Sequence, residues 1–323
     1  MPEPSTLTVL RTAAGSAVAP FVIRALRRIE GVRVVAADSD PLSCGFAFAD
    51  RSVVVPRADS PEYVAALLDV CEREAADWLF PDLDEELPLL ARERKRFEER
   101  GTRVVLSEAR AIERTVDKLE TARFLGERGF PTPKTWLAAD FLAGRDGGFP
   151  LILKPRRGRG GAGVRRVDGA EELDFHRRRN PDLLAQEWLR GTEYTIDTLS
   201  DLQGRFLYAS VRERIATDSG ISIKGRTARH PGIEGQVRAI AEALPLSGPA
   251  CVQGIDDGSG IRFTEVNPRL GGGVALSIAA GAPILSDLVR LLRGEPPVGP
   301  TDFRAGLVML RHWEEVFIDE EHR

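Results

Sequence analysis

The chain reads as an α/β layer followed by an α+β half, and three observations predict that division. From Leu7 to Leu106 short apolar runs alternate with amphipathic helical ones, the pattern of βαβ units on a parallel sheet. From Leu151 onward the pattern changes to hairpin-like strands separated by glycine turns. At 323 residues the chain is long enough for about two domains, each with its own core.

Taken in order, residues 7–10 form a short apolar strand, a small-residue turn follows, and a helix runs from Pro20 to Ile29 until Gly31 stops it. Val32–Ala37 is a second strand, closing on Asp38-Ser39-Asp40-Pro41. Strands at 53–55, 78–80 and 103–106 alternate with helices at 62–74 and 87–100. These make residues 1–110 a Rossmann-like layer. Residues 117–128 are helical, ended by Gly129, Pro131 and Pro133. Strands then fall at 151–154, 163–167, 194–199, 205–211, 250–255 and 261–266. No low-complexity linker separates the halves, so an interface between them, with a ligand cleft, is expected.

Composition narrows the function. Hydrophobic content of 42% and charged content of 29% suit a water-soluble globular chain. A net charge of −4 without long acidic or basic blocks argues against a nucleic-acid or membrane surface. Cys44, Cys71 and Cys251 are isolated and odd in number, which predicts a reducing compartment and neither a disulfide frame nor a zinc site. Met1-Pro2-Glu3-Pro4 has no basic and apolar leader pattern, and the apolar stretch 274–285 is short of the ~20 residues needed to cross a bilayer. A cytoplasmic location is expected.

The first turn, Thr12 to Ala19, has one glycine where a dinucleotide fingerprint needs three. Asp38 sits where a ribose-binding acid could, but an acid after a strand is commonly a cap. An NAD-dependent dehydrogenase therefore fails on the glycines. A second glycine-rich segment is more telling. Leu151-Ile152-Leu153-Lys154-Pro155 is a strand ending in lysine, followed by Arg156-Arg157-Gly158-Arg159-Gly160-Gly161-Ala162-Gly163 and another strand. Glycines let successive N–H groups converge on phosphate oxygens while lysine supplies a point charge. No G-K-[ST] follows, so this is a flap and not a Walker A loop. Its bland alternative is an ordinary glycine hairpin. Lys118, near the start of the 117–128 helix, is on its own a solvated surface lysine.

The third signal is a carboxylate hairpin. Residues 252–255 and 261–266 flank the turn Asp256-Asp257-Gly258-Ser259-Gly260. Alternation along a strand would place Phe263, Glu265 and Asn267 on one face. An odd-length loop sets Gln253 opposite Glu265, whereas a loop of two or four residues sets it opposite 264 or 266. In the odd case three oxygen donors cluster, suited to Mg²⁺ with waters and phosphates completing its shell. Arg269 comes next and could neutralise phosphate or bind an anionic substrate.

In order, Lys118, Lys154 before a glycine loop, Glu187-Trp188-Leu189, Gly191-Thr192-Glu193-Tyr194 and Gln253…Glu265-Val266-Asn267-Pro268-Arg269 resemble the ATP-grasp superfamily. The resemblance is greatest to the ATP-grasp unit of carbamoyl-phosphate synthase large chains and their stand-alone relatives. It runs from Leu7 to about Arg293, and the N-terminal layer, including Pro81 to Leu87, resembles the domain that precedes ATP-grasp there. The resemblance implies residues 111–323 as the ATP-grasp domain, with a small lobe at about 115–190 and a large lobe at about 191–300. It implies Lys118 and Lys154 on the ATP phosphates and adenine, Arg159, Gly160, Gly161 and Gly163 as the covering loop, Gln186, Glu187, Trp188 and Leu189 as the adenine hinge, and Glu193 on ribose. Gln253, Glu265 and Asn267 become the Mg²⁺ ligands, for two ions, with Mn²⁺ an acceptable substitute. A histidine that carbamoyl-phosphate synthases carry in the stretch matching 216–220 has no counterpart here, the four histidines being 176, 230, 312 and 322. A different carboxylate is therefore expected.

The resemblance implies a ligase that activates a small carboxylate as an acyl phosphate, lets an amine or other nucleophile displace phosphate, and acts as a homodimer. Two anions must meet in that chemistry, so cations must align them. Arg212, Arg214, Lys224 and Arg269 are the candidates for gripping the carboxylate or transferred phosphate, with salt bridging on a charged face as the bland reading of Arg212 and Arg214. Ile221–Gly225 is expected as a substrate-contacting loop, and Asp82 and Glu85 as a border of the substrate. A non-catalytic ATP-binding regulatory protein is the alternative, which intact metal ligands disfavour.

Overall fold

The computed structural model describes residues 6–318; Met1–Pro4 and His322 lie outside them. The first half lays down β1 (Leu7–Arg11), α1 (Ala19–Arg27), β2 (Val32–Asp38), β3 (Arg51–Val54), α2 (Tyr63–Arg73), β4 (Trp78–Phe80), α3 (Leu87–Glu98) and β5 (Arg103–Val104). The strands form a five-stranded parallel sheet in the order β3-β2-β1-β4-β5. Helices cover both faces, as parallel sheets require. The chain reverses direction across the sheet between β1 and β4, so the loops leaving their carboxyl ends, 12–16 and 81–86, flank the switch point where such sheets present ligands.

Two helices, α4 (Ala109–Val116) and α5 (Lys118–Glu127), lead out of this layer. A small antiparallel sheet, β6-β9-β7-β8, is built from β6 (Thr135–Leu137), β7 (Leu151–Pro155), β8 (Arg165–Val167) and β9 (Leu183–Glu187), with α6 (Ala170–Arg179) between the last two. A large antiparallel sheet, β14-β13-β10-β11-β12-β15, comprises β10 (Thr192–Ser200), β11 (Phe206–Asp218), β12 (Ile221–Ala228), β13 (Gly248–Asp256), β14 (Ile261–Asn267) and β15 (Val308–Leu310). α7 (Pro231–Ala243) covers one of its faces through Ile233, Val237 and Ile240. α8 (Val274–Ala279) and α9 (Ile284–Leu292) close the fold, and α9 packs Ile284, Leu288 and Val289 into the same cluster as Val9, Val22 and Leu26 of the parallel layer. The two halves thus share a core.

The segment 221–225, expected as a loop, is the start of β12, hydrogen-bonded to β11 on one side and β15 on the other. The β13–β14 hairpin also departs from expectation. Asp256 pairs with Ile261, leaving a loop of four residues, the even length that should set Gln253 opposite Thr264. A β-bulge at Thr264 absorbs one residue, so Gln253 nevertheless pairs with Glu265, and Cys251 with Asn267. The bulge changes which side chains share a face. Ile261, Phe263 and Val266 are buried in the cluster beneath α7, while Glu265 and Asn267 turn to the opposite side. Phe263 and Glu265 therefore do not share a face, because two consecutive residues of a bulged strand oppose one residue of its neighbour.

Phe263 is fully buried, so Phe263→Ala should destabilise the chain by about 3–5 kcal/mol through lost burial and the cavity left behind. A urea titration checks this; a midpoint unchanged from wild type would contradict the assignment of Phe263 to the core.

Candidate functional site

The site begins with a lysine that the fold takes out of water. Lys154, at the end of β7, is 4% exposed, and its Nζ lies 3.9 Å from Glu265 Oε1 on β14. Burial lowers its pKa; Glu265 opposes that fall and nearby Lys118 adds to it. The small sheet thus delivers a cation to the carboxylate face of the large one. Lys118 arrives from the first turn of α5, where its Nζ donates to the Gly158 carbonyl at 2.5 Å and so supports the glycine loop from below. Asp117 caps that helix through the Leu119 and Glu120 amides and also accepts from Arg156 Nε at 2.8 Å. Burial would raise the Asp117 pKa, but the Arg156 hydrogen bond and the helix amides outweigh it and hold the carboxyl below its usual range.

Gly158, Gly160, Gly161 and Gly163 all adopt positive φ, which lets the loop turn back on itself. Its tip meets the β11–β12 turn so closely that a Cβ on Gly220 would stand 2.5 Å from the Gly160 carbonyl carbon. Arg159 pairs with Glu85 at 3.2 Å. Lys118, Lys154, Arg159, Gly160, Gly161 and Glu265 line one pocket together; Lys118, Glu265 and Asn267 line a second with Asp84.

On the large sheet the oxygen donors lie side by side. Gln253 and Glu265 are direct cross-strand partners, and Asn267 comes two residues later. The Asn267 amide nitrogen faces Cys251 Sγ at 3.8 Å. Burial pushes the Cys251 thiol up to about 11, so it stands as a neutral acceptor and not as a thiolate ligand. The available donors are therefore oxygens, the set that a hard cation takes. Among the described residues no three His, Cys, Asp or Glu side chains gather into a metal cage. Mg²⁺ keeps waters and phosphates and needs only one or two carboxylates, so the donors fit an ion that arrives with a nucleotide.

The four cations proposed as anion grips have separate fates. Arg212 is buried and forks onto Asp197 at 2.6 and 2.9 Å beneath the Gly271–Gly273 run, with Ser277 donating to the same carboxylate. Burial would lower its pKa, but Asp197 more than compensates. Arg214 pairs with Glu193, reaches Gln253 Oε1 at 3.5 Å and holds the Gly220 carbonyl at 2.7 Å. Burial raises the Glu193 pKa, Arg214 pulls it down and Glu265 pushes it up, so these three groups sit within electrostatic reach. Lys224 is exposed on β12. It adjoins Gly225, the partner of Arg214, and so lies on the other face, with Arg226 and Glu213; the structure does not bring it to the cluster. Arg269 is held by Asp84 through Nε and Nη2 at 2.5 and 2.7 Å.

The small sheet supplies the remaining candidates. Gln186 is buried and donates to Thr135 Oγ1 at 2.7 Å. Glu187 accepts from Arg262 at 2.8 Å, Trp188 lies under the Arg166 guanidinium at 4.4 Å, and Leu189 is buried beside them. In the parallel layer, Asp82 does not border an open substrate site. It is buried against Arg11 at 2.6 Å, leaving Asp82 Oδ1 and Arg11 Nε without partners among the described residues. Asp38 accepts from the Gly15 and Asp40 amides, shaping its own turn.

Residues 115–273, which hold all of these donors and cations except the parallel-layer groups, match the ATP-grasp domain family. The chain belongs to the ATP-grasp superfamily. Residues 9–105 match the PylC-like N-terminal domain, so the ATP-grasp unit follows the parallel layer directly. Among curated proteins the chain is 26% identical over 178 residues to a carbamoyl-phosphate synthase of Methanobrevibacter smithii, covering 53% of this chain and 47% of that one. It is 27% identical over 263 residues to the carbamoyl phosphate synthase large chain of Rubrobacter xylanophilus, covering 74% and 25%. The chain thus spans half or less of the length of these relatives. The biotin carboxylase domain dimer of the Hydrogenobacter thermophilus 2-oxoglutarate carboxylase, solved with MgADP, ADP and bicarbonate, shares the fold. Its TM-score is 0.74 at 19% identity, over 94% of this chain and 74% of that one.

The ATP-grasp motifs are visible in sequence because each carries its own chemistry. Asp84, Asp117 and Asp197 escape a sequence reading as partners. Asp117 had a readable signal, the capping pattern Asp-x-x-Glu at 117–120 before an apolar helix. The other two are paired by tertiary approach across 185 and 15 residues, which no local pattern reports.

The desolvated lysine has a thermodynamic consequence. Its folded pKa is lowered, so the folded chain bears the penalty wherever Lys154 is protonated, and the penalty fades as pH rises from that lowered value through the ordinary ~10.4. Lys154→Met should raise stability at neutral pH by removing the desolvated charge, and the gain should shrink toward alkaline pH, where the folded lysine is already neutral. Thermal melts between neutral pH and pH ~10.4 test the sign; a lysine that stabilises the fold would show a loss instead.

Proposed function

We propose that the chain is an ATP- and Mg²⁺-dependent carboxylate–amine ligase. It would join a small-molecule acid to an amine or related nucleophile through an acyl phosphate, form a C–N bond, and release ADP and phosphate. Residues 1–110 form the pre-ATP-grasp layer in this reading, and 111–323 the ATP-grasp domain with lobes at about 115–190 and 191–300. The observation that carries the reading is the meeting of buried Lys154 with Glu265, beside Gln253 and Asn267, under a glycine loop that Lys118 supports. The ligand-bound carboxylase that shares the fold supports the choice of nucleotide and metal, and its dimeric state supports a homodimer. Two Mg²⁺ ions are proposed, replaceable by Mn²⁺, in a cytoplasmic enzyme.

Glu265, Asn267 and Gln253 would hold the metal, whose contribution is to neutralise and align phosphate oxygens. Lys154 and Lys118 reduce the repulsion between phosphate and an approaching carboxylate. Low local dielectric around Lys154 makes its charge more effective than a surface lysine's. The glycine loop, including Arg159, Gly160, Gly161 and Gly163, would offer backbone amides to the phosphates. Gln186, Glu187, Trp188 and Leu189 would line the base and Glu193 the ribose. Arg214 keeps Glu193 and Gln253 in place, and Arg212 supports the floor through Asp197. Arg269 would meet the acceptor carboxylate or transferred phosphate.

Mg·ATP, and not NADH, should raise the melting temperature, by roughly 4 °C at a hundredfold excess over Kd. Glu265→Gln should abolish ADP release in a phosphate-release screen of paired acids and amines, the product mass naming the bond. Unchanged turnover in Glu265→Gln would remove the metal assignment, and ATP binding without turnover on any pair would favour a non-catalytic regulator.

A further inference from the structure

We propose that Asp84 is a built-in stand-in for the acceptor carboxylate, occupying the guanidinium edge of Arg269 until a substrate carboxylate displaces it. The inference rests on the ligase reading for the identity of that acceptor, and on four observations of its own.

The first is geometric. Asp84 takes Nε and Nη2 of Arg269 in a two-pronged fork at 2.5 and 2.7 Å, the arrangement a planar monoanionic carboxylate adopts with arginine. The second is placement. Asp84 lines the same pocket as Lys118, Glu265 and Asn267, so the fork stands at the place where an acid would meet a phosphoryl group. The third is the balance of contacts. Arg269 also donates Nη1 to the Leu270 carbonyl, and among the described residues the Asp84 carboxylate has no hydrogen-bond or ion-pair partner except Arg269. The fourth is anchoring. The loop that carries Asp84 is fastened by its other acids: Asp82 to Arg11, and Glu86 to Thr12, Tyr63 and the amides of Asp82 and Leu83. Asp84 can leave its arginine without unfastening the loop.

Energetics favour exchange over simple opening. A buried guanidinium stripped of its partner is strongly destabilising, whereas replacing one carboxylate by another leaves the number of buried charges unchanged. Both side chains retain a little exposure, 14% for Asp84 and 16% for Arg269, so the displaced carboxylate has a route to water. Such a seat selects a monoanionic carboxylate. A dianion would bring extra charge toward Asp82, which already couples electrostatically to Asp84 and Arg269. Asp84 is accordingly a specificity-determining residue, and acid binding and release of its side chain from Arg269 are one event.

The test needs neither ATP nor a known substrate. Wild type, Asp84→Asn and Asp84→Ala are melted in rising sodium formate or acetate, with ionic strength held constant by sodium chloride. The vacated arginine should give Asp84→Ala a saturable rise of roughly 4 °C at a hundredfold excess over Kd, larger for formate than acetate. Wild type should respond more weakly and only at higher concentration, because Asp84 competes for the arginine, and adding Arg269→Gln to Asp84→Ala should erase the rise. An equal response in wild type, or no saturable response in the folded Asp84 variants, overturns the proposal. If the variants do not fold unaided, refolding from urea decides: recovery in formate but not chloride supports the seat, and failure in both overturns it. Failure of formate rescue leaves the ligase reading standing, and a ligase screen without turnover leaves a positive rescue standing as a carboxylate site.

Discussion

A lysine charge enclosed by protein is the constraint around which the C-terminal half is arranged. Lys154 stands at the end of a short strand whose neighbours Leu151 and Leu153 fill a core, so the strand cannot retreat to solvate its last side chain. The charge must be answered from elsewhere, and the nearest answer is Glu265, 111 residues later on a different sheet. That answer exists only because β14 is held in register against β13. The bulge at Thr264 therefore belongs to the electrostatics as much as to the ladder. Without the pairing of Gln253 with Glu265, the small sheet would carry an uncompensated cation into the interior.

Much of the fold is legible because the sequence states its periods plainly. The alternation of apolar runs and amphipathic helices before Leu106 specifies a parallel sheet, and each of its five strands overlaps its expected position. Elements that escape the sequence pattern have weak local signals. α7 contains Gly232 and Gly235, which depress helix propensity, and forms because Ile233, Val237 and Ile240 are buried against the large sheet. β15 is three residues long and has meaning only as a partner of β12.

The site is legible in its chemistry and less so in its pairing. Lysines beside glycines, and an acid two residues before an amide, advertise phosphate and metal chemistry because few other structures need them together. What sequence cannot state is which charges are already spoken for. Arg212 and Arg269 look alike along the chain, yet one is locked under the triglycine run by Asp197 and the other is forked by an acid from the parallel layer. Lys224 looks equally available, and a single step of strand alternation turns it away. The even hairpin loop misleads for a similar reason. Counting residues assumes a regular ladder, and a bulge breaks that count without leaving a residue type that betrays it.

The approach of Gly160 to Gly220 sets a limit on how tolerance to change can be interpreted in this chain. Neither glycine carries a functional group, yet a methyl on Gly220 would collide with backbone that is itself held at positive φ. In a saturation map both positions would look as intolerant as a metal ligand, for reasons of backbone conformation and volume alone. Permissiveness at Arg159 beside intolerance at Gly160 would then mark the line along which the glycine loop and the β11–β12 turn touch.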